Sequence, residues 1–366
     1  MSQALYTVSL YETLGPSTTG YIINHASLVC VVTSLIHIPT LLKLKPICPT
    51  LRFIISLDSF DSGLERRSFD IPSTLVSDLG IEIYSIHEIE ALGAACVPIR
   101  YNPPLPSDIV TINFTSGTTA DPKGVLLTHR AAVAAASSSL VTIGQDSSDI
   151  AFSYLPLAHI FGRLCEQSSF WAGASIGYFH GDVHAIVEDL KLLRPTGFIS
   201  VPRLYNRFGS AIRHAITQEP GPKGESIRQM VTTRLAQLTC PNQISITNKH
   251  SKNEGQATGI LASFGLDRAR NMVSGSAPLD SALHQYLRAV FGNHFIQGYG
   301  LTETYGVCLA QSKGDFTTGN CGGVTPFNEV CLASVPDMGY LVTDTPFPRG
   351  ELLIRGNTLF SGYLKN

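Results

Sequence analysis

Short apolar runs alternate with longer amphipathic stretches along most of the 366-residue chain. LVCVV (28–32), LRFIIS (51–56), IVTINFT (109–115), ASIGYF (174–179) and GFISVP (197–202) are rich in β-branched and aromatic residues and have strand length. Their near-continuous apolar character predicts strands covered on both faces. Between them, DVHAIVEDLKLLRP (182–195) sets Val183, Ile186, Val187, Leu190 and Leu193 on one helical face. Asp182 is placed to cap that helix and Pro195 to limit its end. RAAVAAASSSLVTI (130–143) predicts a further helix. The alternation reads as α/β with largely buried strands.

Other regions break the rhythm. Residues 22–42, IINHASLVCVVTSLIHIPTLL, carry no formal charge, and a membrane-spanning helix needs roughly 20 predominantly apolar residues. Asn24, His25, His37 and Pro39 favour instead a buried strand, SLVCVV, then a short helix interrupted at Pro39. A membrane-embedded structural protein would rest on this stretch alone. Residues 240–258 are polar and glycine-bearing and read as a surface excursion. From 321 onward, glycines, prolines and runs such as GELLIRG predict a small β subdomain. The expected organisation is thus two α/β subdomains, 1–110 and 111–320, and the start of a small β subdomain at 321–366. The chain opens in what reads as an interior strand and stops at FSGYLKN without a clear terminal element, so a further domain is expected to have followed.

Apolar residues make up 44% and charged residues 15% of the chain, ample for a core. A net charge of −2 without a basic run argues against nucleic acid as a partner. Eight dispersed cysteines with no C-x-x-C pair fit reduced thiols in an intracellular protein better than disulfides or a zinc site. The N-terminus lacks the pattern of a signal peptide, and Leu-Lys-Asn at the end is not a peroxisomal tripeptide, so cytoplasm and peroxisome both stay open.

The chemistry is concentrated in TINFTSGTTADPKGVLLTH (111–129). A strand delivers the chain to Thr115, Ser116, Gly117, Thr118 and Thr119, whose hydroxyls and amides can converge on phosphate oxygens. Lys123 adds a mobile positive charge. The order is not G-x-x-x-x-G-K-[ST], because Lys123 precedes Gly124 and Pro122 stands before it. Nor is SGSAPL (274–279) a G-x-S-x-G elbow, or GYGLTE (298–303) a dinucleotide fingerprint. His180 and His184 have i,i+4 spacing, but Gly181-Asp182 between them argues against a shared metal.

T-S-G-T-T-x-x-P-K-G resembles the phosphate-binding signature of the adenylate-forming superfamily, which includes acyl-CoA synthetases, luciferases and peptide-synthetase adenylation domains. SLYETLGPSTTGYIINHA, FSYLPLAHIFGRLCEQ, GYFHGDV, LRPTGFISVPRLYNR, MVSGSAPLD, IQGYGLTETYG and PFPRGELLIRGNTLFSGY are similar, in the same order, to the eukaryotic long-chain fatty acyl-CoA synthetase branch. The resemblance implies the large N-terminal domain of that fold: two mixed β-sheets flanked by helices plus a small β subdomain, with the C-terminal lid domain absent. It implies an ATP-dependent acyl-CoA ligase acting on a medium- or long-chain fatty acid or another apolar carboxylic acid, with ATP, Mg²⁺ and coenzyme A. No protein partner is implied, and peripheral membrane association stays open.

The same resemblance assigns roles. Thr115 to Thr119 and Lys123 would bind the phosphates. Gly275, Ser276, Ala277 and Pro278 would pass beneath the adenine, and Gln297, Gly298, Tyr299 and Gly300 would line it. Thr302 would contact the α-phosphate, Glu303 would hold Mg²⁺, and His159 would sit near the reacting carboxylate and α-phosphate. Three positions depart from the pattern. Ala120 replaces a glycine, Gly162 stands where close relatives have an acidic residue, and 243–266 do not match the usual aromatic segment. The T-G-D segment with its ribose-binding aspartate and the lid lysine also lie beyond the chain's end, which makes a catalytically impaired nucleotide- or acyl-adenylate-binding protein the alternative.

Overall fold

The computed structural model describes residues 3–11, 15–59, 78–97, 99–115, 121–239, 259–291 and 294–365. The chain divides into two compact units, 1–126 with 362–366 and 127–361. IVTINFT and the strand that follows the hydroxyl loop are neighbours in one sheet.

In the first unit, β1 (Thr7–Ser9) and α1 (Gly15–His25) precede β2 (Cys30–Thr33), α2 (Ile38–Leu44), β3 (Phe53–Ser56), β4 (Glu82–Ser85) and α3 (Ile86–Ala95). β2, β3 and β4 form a parallel sheet over a core of Ile23, Leu41, Leu51 and Ile54. Ser85 and Glu88 form a capping box that starts α3. β5 (Ile109–Thr115) lies between β1 and β6 (Lys123–Thr128), so β1 is an edge strand among the described residues, not an interior one. Within the uncharged stretch 22–42, β2 forms as expected, but Pro39 lies in the first turn of α2 and begins that helix instead of interrupting it. Among the described residues no helix is long and apolar enough to cross a membrane.

The second unit runs through α4 (His129–Ile143), β7 (Ile150–Ser153), α5 (Ile160–Ala172), β8 (Ser175–Tyr178), α6 (Ile186–Leu193) and β9 (Gly197–Ser200). It continues through α7 (Pro202–Gln218), α8 (Gly221–Thr239), β10 (Asn271–Ser274), α9 (Ser281–Phe291) and β11 (His294–Tyr299). β12 (Leu309–Ala310) and β13 (Gly323–Val324) complete a seven-stranded sheet ordered β13-β12-β11-β10-β9-β7-β8. β8, β7, β9, β10 and β11 are parallel; β12 runs antiparallel to β11, and β13 antiparallel to β12. The expected small β subdomain is a two-stranded antiparallel ribbon of β14 (Asn328–Ala333) and β15 (Glu351–Gly356), while β13 belongs to the large sheet.

One face of that sheet is packed dry. Phe198, Tyr205, Phe208, Leu287 and Phe295 are at most 2% exposed, and the Tyr205 and Phe295 rings lie 4.5 Å apart. Each such side chain contributes roughly 1.5–3 kcal/mol through burial. The helix expected over 182–195 starts four residues late. Asp182 accepts the His184 amide in a turn, α6 begins at Ile186, and Val183 is exposed. The segment 240–258 lies outside the described residues, as does most of the 243–266 departure. The seven described cysteines are free thiols.

Candidate active site

In open α/β sheets, ligands bind outside the carboxyl ends of the strands. β10 and β11 pair in parallel with Ser274 opposite Gln297, so Gly275 leaves the sheet beside Gly298 and Tyr299, which run on in β11 to pair with β12. Ser276, Ala277 and Pro278 are exposed, Gly298, Tyr299 and Gly300 are half-buried, and Leu279 is buried as the anchor of the first loop. Ser276 holds φ at +73°, a left-handed conformation uncommon for a residue with a side chain. Such strain, of order 1–3 kcal/mol, concentrates at ligand-binding turns. The buried hydroxyl of Ser274, one residue before this loop, has no hydrogen-bond partner among the described residues. Of the residues expected at an adenine, Gln297 alone turns inward: its side chain accepts the Leu279 N–H at 3.0 Å and is 4% exposed.

Beyond Gly300 the chain makes a one-turn 3₁₀ helix, Thr302–Thr304, closed by Tyr305 at φ +53° and Gly306 at φ +86°. Thr304 fastens it by accepting the Leu301 N–H at 2.9 Å. Thr302 and Glu303 are left half-buried at the rim of the turn. The Phe360 N–H donates to the Glu303 carbonyl at 2.9 Å and steadies the backbone behind the carboxylate.

The start of α5 is wedged against both loops. A Cβ on Gly275 would stand 2.9 Å from the Phe161 ring, so only glycine lets the loop lie on that ring. A Cβ on Gly306 would meet Leu164 and Ile160 at 3.4 and 3.7 Å. His159 caps α5, its Nδ1 accepting the Phe161 N–H at 3.2 Å. An accepting Nδ1 leaves the proton on Nε2, so the ring tip presents an N–H donor. Burial of the ring's inner side pushes its pKa below the ordinary histidine value, which keeps it neutral near pH 7, while the residue stays accessible from outside.

Behind this rim a cleft encloses about 580 Å³, its open mouth included. Gly162, Cys165 and Glu166 of α5 line one side; Ala151, Ser153 and Ile199 of the sheet line the other. Glu166 is 8% exposed and accepts the Ser153 hydroxyl at 2.5 Å. Burial holds the Cys165 thiol up at about 12, so it is an inert wall residue. Apart from Gly162, which stands out as a departure from the family pattern, the sequence does not single out these wall residues. The run of small residues along one side of α5, Gly162, Cys165 and Ser169, was the available signal. Gly162 explains its own departure: a Cβ there would lie 2.8 and 2.9 Å from the Pro156 and Leu155 carbonyl oxygens.

The first unit carries the hydroxyl-rich segment. Thr115 ends β5 half-buried, and Lys123 opens β6 exposed, its ammonium 5.2 Å from the Tyr363 ring centre. Ser116, Gly117, Thr118 and Thr119, with Ala120, lie outside the described residues. His180, set aside above as a metal ligand, has Nδ1 2.9 Å from the Asp189 carboxylate.

A model of the family described as AMP-binding enzyme matches residues 1–364. The chain is 53% identical over 371 residues to an acyl-CoA ligase 891, peroxisomal, from Penicillium brevicompactum, covering 100% of this chain and 52% of the relative. It is 34% identical over 371 residues to long chain acyl-CoA synthetase 6, peroxisomal, from Arabidopsis thaliana, covering 100% of this chain and 50% of the relative. The chain thus spans about half the length of the curated relatives it matches. Among solved structures, the A domain of a carboxylic acid reductase from Segniliparus rugosus, in complex with AMP and a co-purified carboxylic acid, superposes with a TM-score of 0.73. That match has 23% identity and covers 99% of this chain and 53% of that one, which speaks for the fold alone.

Proposed function

The chain belongs to the AMP-binding enzyme family, and from that membership we propose that it is the acid-activating part of an ATP-dependent acyl-CoA ligase. In the first half-reaction an oxygen of the carboxylate attacks the α-phosphorus of ATP. The bond to the bridging oxygen breaks, pyrophosphate leaves, and acyl-AMP forms. In the second, the thiol sulfur of coenzyme A attacks the acyl carbon, loses its proton, and AMP departs. The substrate is a medium- or long-chain fatty acid or another apolar acid lying in the cleft behind α5, a reading supported by the names of the relatives.

The protein's work in acid activation is positioning and electrostatics. Ser276 to Pro278 and Gly298 to Gly300 form the walls for the adenine. Thr302 and the Nε2–H of a neutral His159 donate to oxygens at the α-phosphate and carboxylate. Thr115 to Thr119 and Lys123 bind the phosphate tail. A magnesium ion, when bound, neutralises phosphate charge, and Glu303 is the residue to hold it. Among the described residues no group of three or more acidic, histidine or cysteine side chains could cage a metal. One carboxylate with phosphate oxygens and water suits magnesium, which keeps several waters and seldom takes an all-protein cage.

The observation that carries this reading is the gathering of Gly275 to Leu279 and Gly298 to Glu303 around the start of α5, which His159 caps and whose Gly162, Cys165 and Glu166 line the cleft. ATP–pyrophosphate exchange over a panel of acids of increasing chain length tests it. Acid-dependent exchange is the expected result. AMP binding without exchange would assign the chain the binding role without turnover, and neither binding nor exchange would overturn the reading. We propose the peroxisome as the compartment, following the names of the relatives, to be tested by imaging the tagged chain in its native cell.

A further inference from the structure

Beneath the two loops lies a closed ring of hydrogen bonds among groups that the sequence presents as ordinary surface polarity. Gln297, His284, Arg288 and Gln311 are all at most 4% exposed. The Gln297 side chain accepts the Leu279 N–H at 3.0 Å and faces His284 Nδ1 with its amide nitrogen at 3.4 Å. His284 Nε2 and Arg288 Nε share the Phe295 carbonyl at 2.7 and 2.9 Å. Arg288 also donates to Gln311 Oε1 at 3.1 Å, and that same oxygen accepts the backbone N–H of Gln297 at 2.9 Å.

The bonds leave each group one orientation. A carbonyl only accepts, so the His284 proton sits on Nε2 and Nδ1 is an acceptor. Only the NH₂ end of Gln297 satisfies that acceptor, which aims its oxygen at Leu279. Burial and the nearby Arg288 push the His284 pKa down to about 4, so the ring stays neutral and the tautomer holds. Arg288 has no carboxylate partner in the ring; besides Gln311, the Phe295, Asp315 and Thr317 carbonyls take its protons. No member of the ring can turn without leaving a buried group unpaired.

We propose that Gln297 is a positioning residue: held in register by the His284–Arg288–Gln311 ring, it fixes the spacing between the Ser276–Pro278 loop and the Gly298–Gly300 edge, and hence the affinity for adenine nucleotides. This rests on the nucleotide reading above. Gln297 acts through the backbone it braces and does not itself touch the base.

The test is calorimetry with AMP on the full chain, well below its melting temperature. Q297L should bind AMP roughly tenfold more weakly, as expected for losing one buried hydrogen bond at the loop. Q297E supplies a second, nearly isosteric arm. Its carboxylate can accept from Leu279 but meets the His284 Nδ1 lone pair, so it needs His284 protonated. The groups facing His284 are Arg288 from α9, Asp315 from the segment after β12, and residue 297 from β11. The ratio of Q297E to wild-type affinity, which cancels titration of the AMP phosphate, should therefore rise as pH falls from 8 to about 5.5. A purely structural loss of stability would not produce that slope. Wild-type binding with equal affinity for Q297L, or a flat Q297E ratio, overturns this proposal alone. A wild-type chain that binds no AMP overturns the nucleotide reading and this proposal together.

Discussion

Adjacent residues of the same strands build the two faces of the large sheet, and the faces are opposites. On one, Phe198, Met272 and Phe295 are buried against helices α7, α8 and α9. On the other, Ile199, Ala151 and Ser153 face α5, which offers Gly162, Cys165 and Ser169. The buried residues of α4 are small as well, five alanines and two serines. Bulk on one side makes a rigid support; smallness on the other leaves room for a ligand. A protein interior packed at crystal density cannot serve as both.

The sharpest way to break the contrast is a pair of neighbouring substitutions. Phe198→Ala empties the packed face and should cost about 3–5 kcal/mol of unfolding free energy. Ile199→Ala enlarges a cleft that is already open, so its stability loss should be clearly smaller. It should shift the acid preference in pyrophosphate exchange instead. Urea denaturation and exchange on both variants measure this, and equal stability losses would dissolve the distinction between the faces.

The packed face also hides a proton switch. His284 is held at about 4 in the folded chain, against roughly 6.5 when unfolded. Between those values the unfolded state binds more protons, so stability rises with pH. The contribution is complete above pH 6.5 and is lost as pH falls toward 4. At about 1.4 kcal/mol per pKa unit, it amounts to about 3 kcal/mol. His284→Gln should flatten that part of the profile in denaturation at pH 7 and 4.5; an unchanged slope would show that the histidine does not titrate there.

The cleft face should resist filling. At Gly162 a methyl would press on two carbonyl oxygens at under 3 Å, an overpacking that costs about 1–3 kcal/mol. The better helix propensity of alanine returns up to about 1 kcal/mol. Gly162→Ala should therefore lower the melting temperature slightly and reduce exchange by displacing His159. A rise in melting temperature with full activity would mean that the Leu155–Pro156 segment yields freely.

How much of this was legible beforehand follows from the type of signal. IVTINFT is a strand to the residue, because its β-branched and aromatic residues suit the extended backbone of a strand buried along most of its length. The expected helix start at Asp182 failed because the aspartate caps a turn instead. Pro39 starts a helix instead of breaking one, because proline is equally at home in a first helical turn. Motifs drew attention to residues 275–279, to 298–303 and to His159, because an ordered run of particular residues stands out from periodicity. They could not reveal Arg288, which looks like any surface cation until burial is known. Gln297 was within reach: strand alternation in HFIQGY puts it on the same side as Phe295, toward the packed face.

The smallest stability effect is expected at His159, the N-cap of α5. His159 closes the first turn of α5 through Nδ1 and offers Nε2–H outward. Asparagine is among the best N-cap residues, so His159→Asn keeps an acceptor for the Phe161 amide and should hold stability within about 0.5 kcal/mol. The shorter side chain cannot carry a donor to where Nε2 stands. Losing one preorganised donor costs about 10²–10³ in rate, so exchange should fall by that order while the melting curve barely moves. If exchange is unaffected, His159 is a cap and nothing more, and the donor at the α-phosphate must be sought in Thr302.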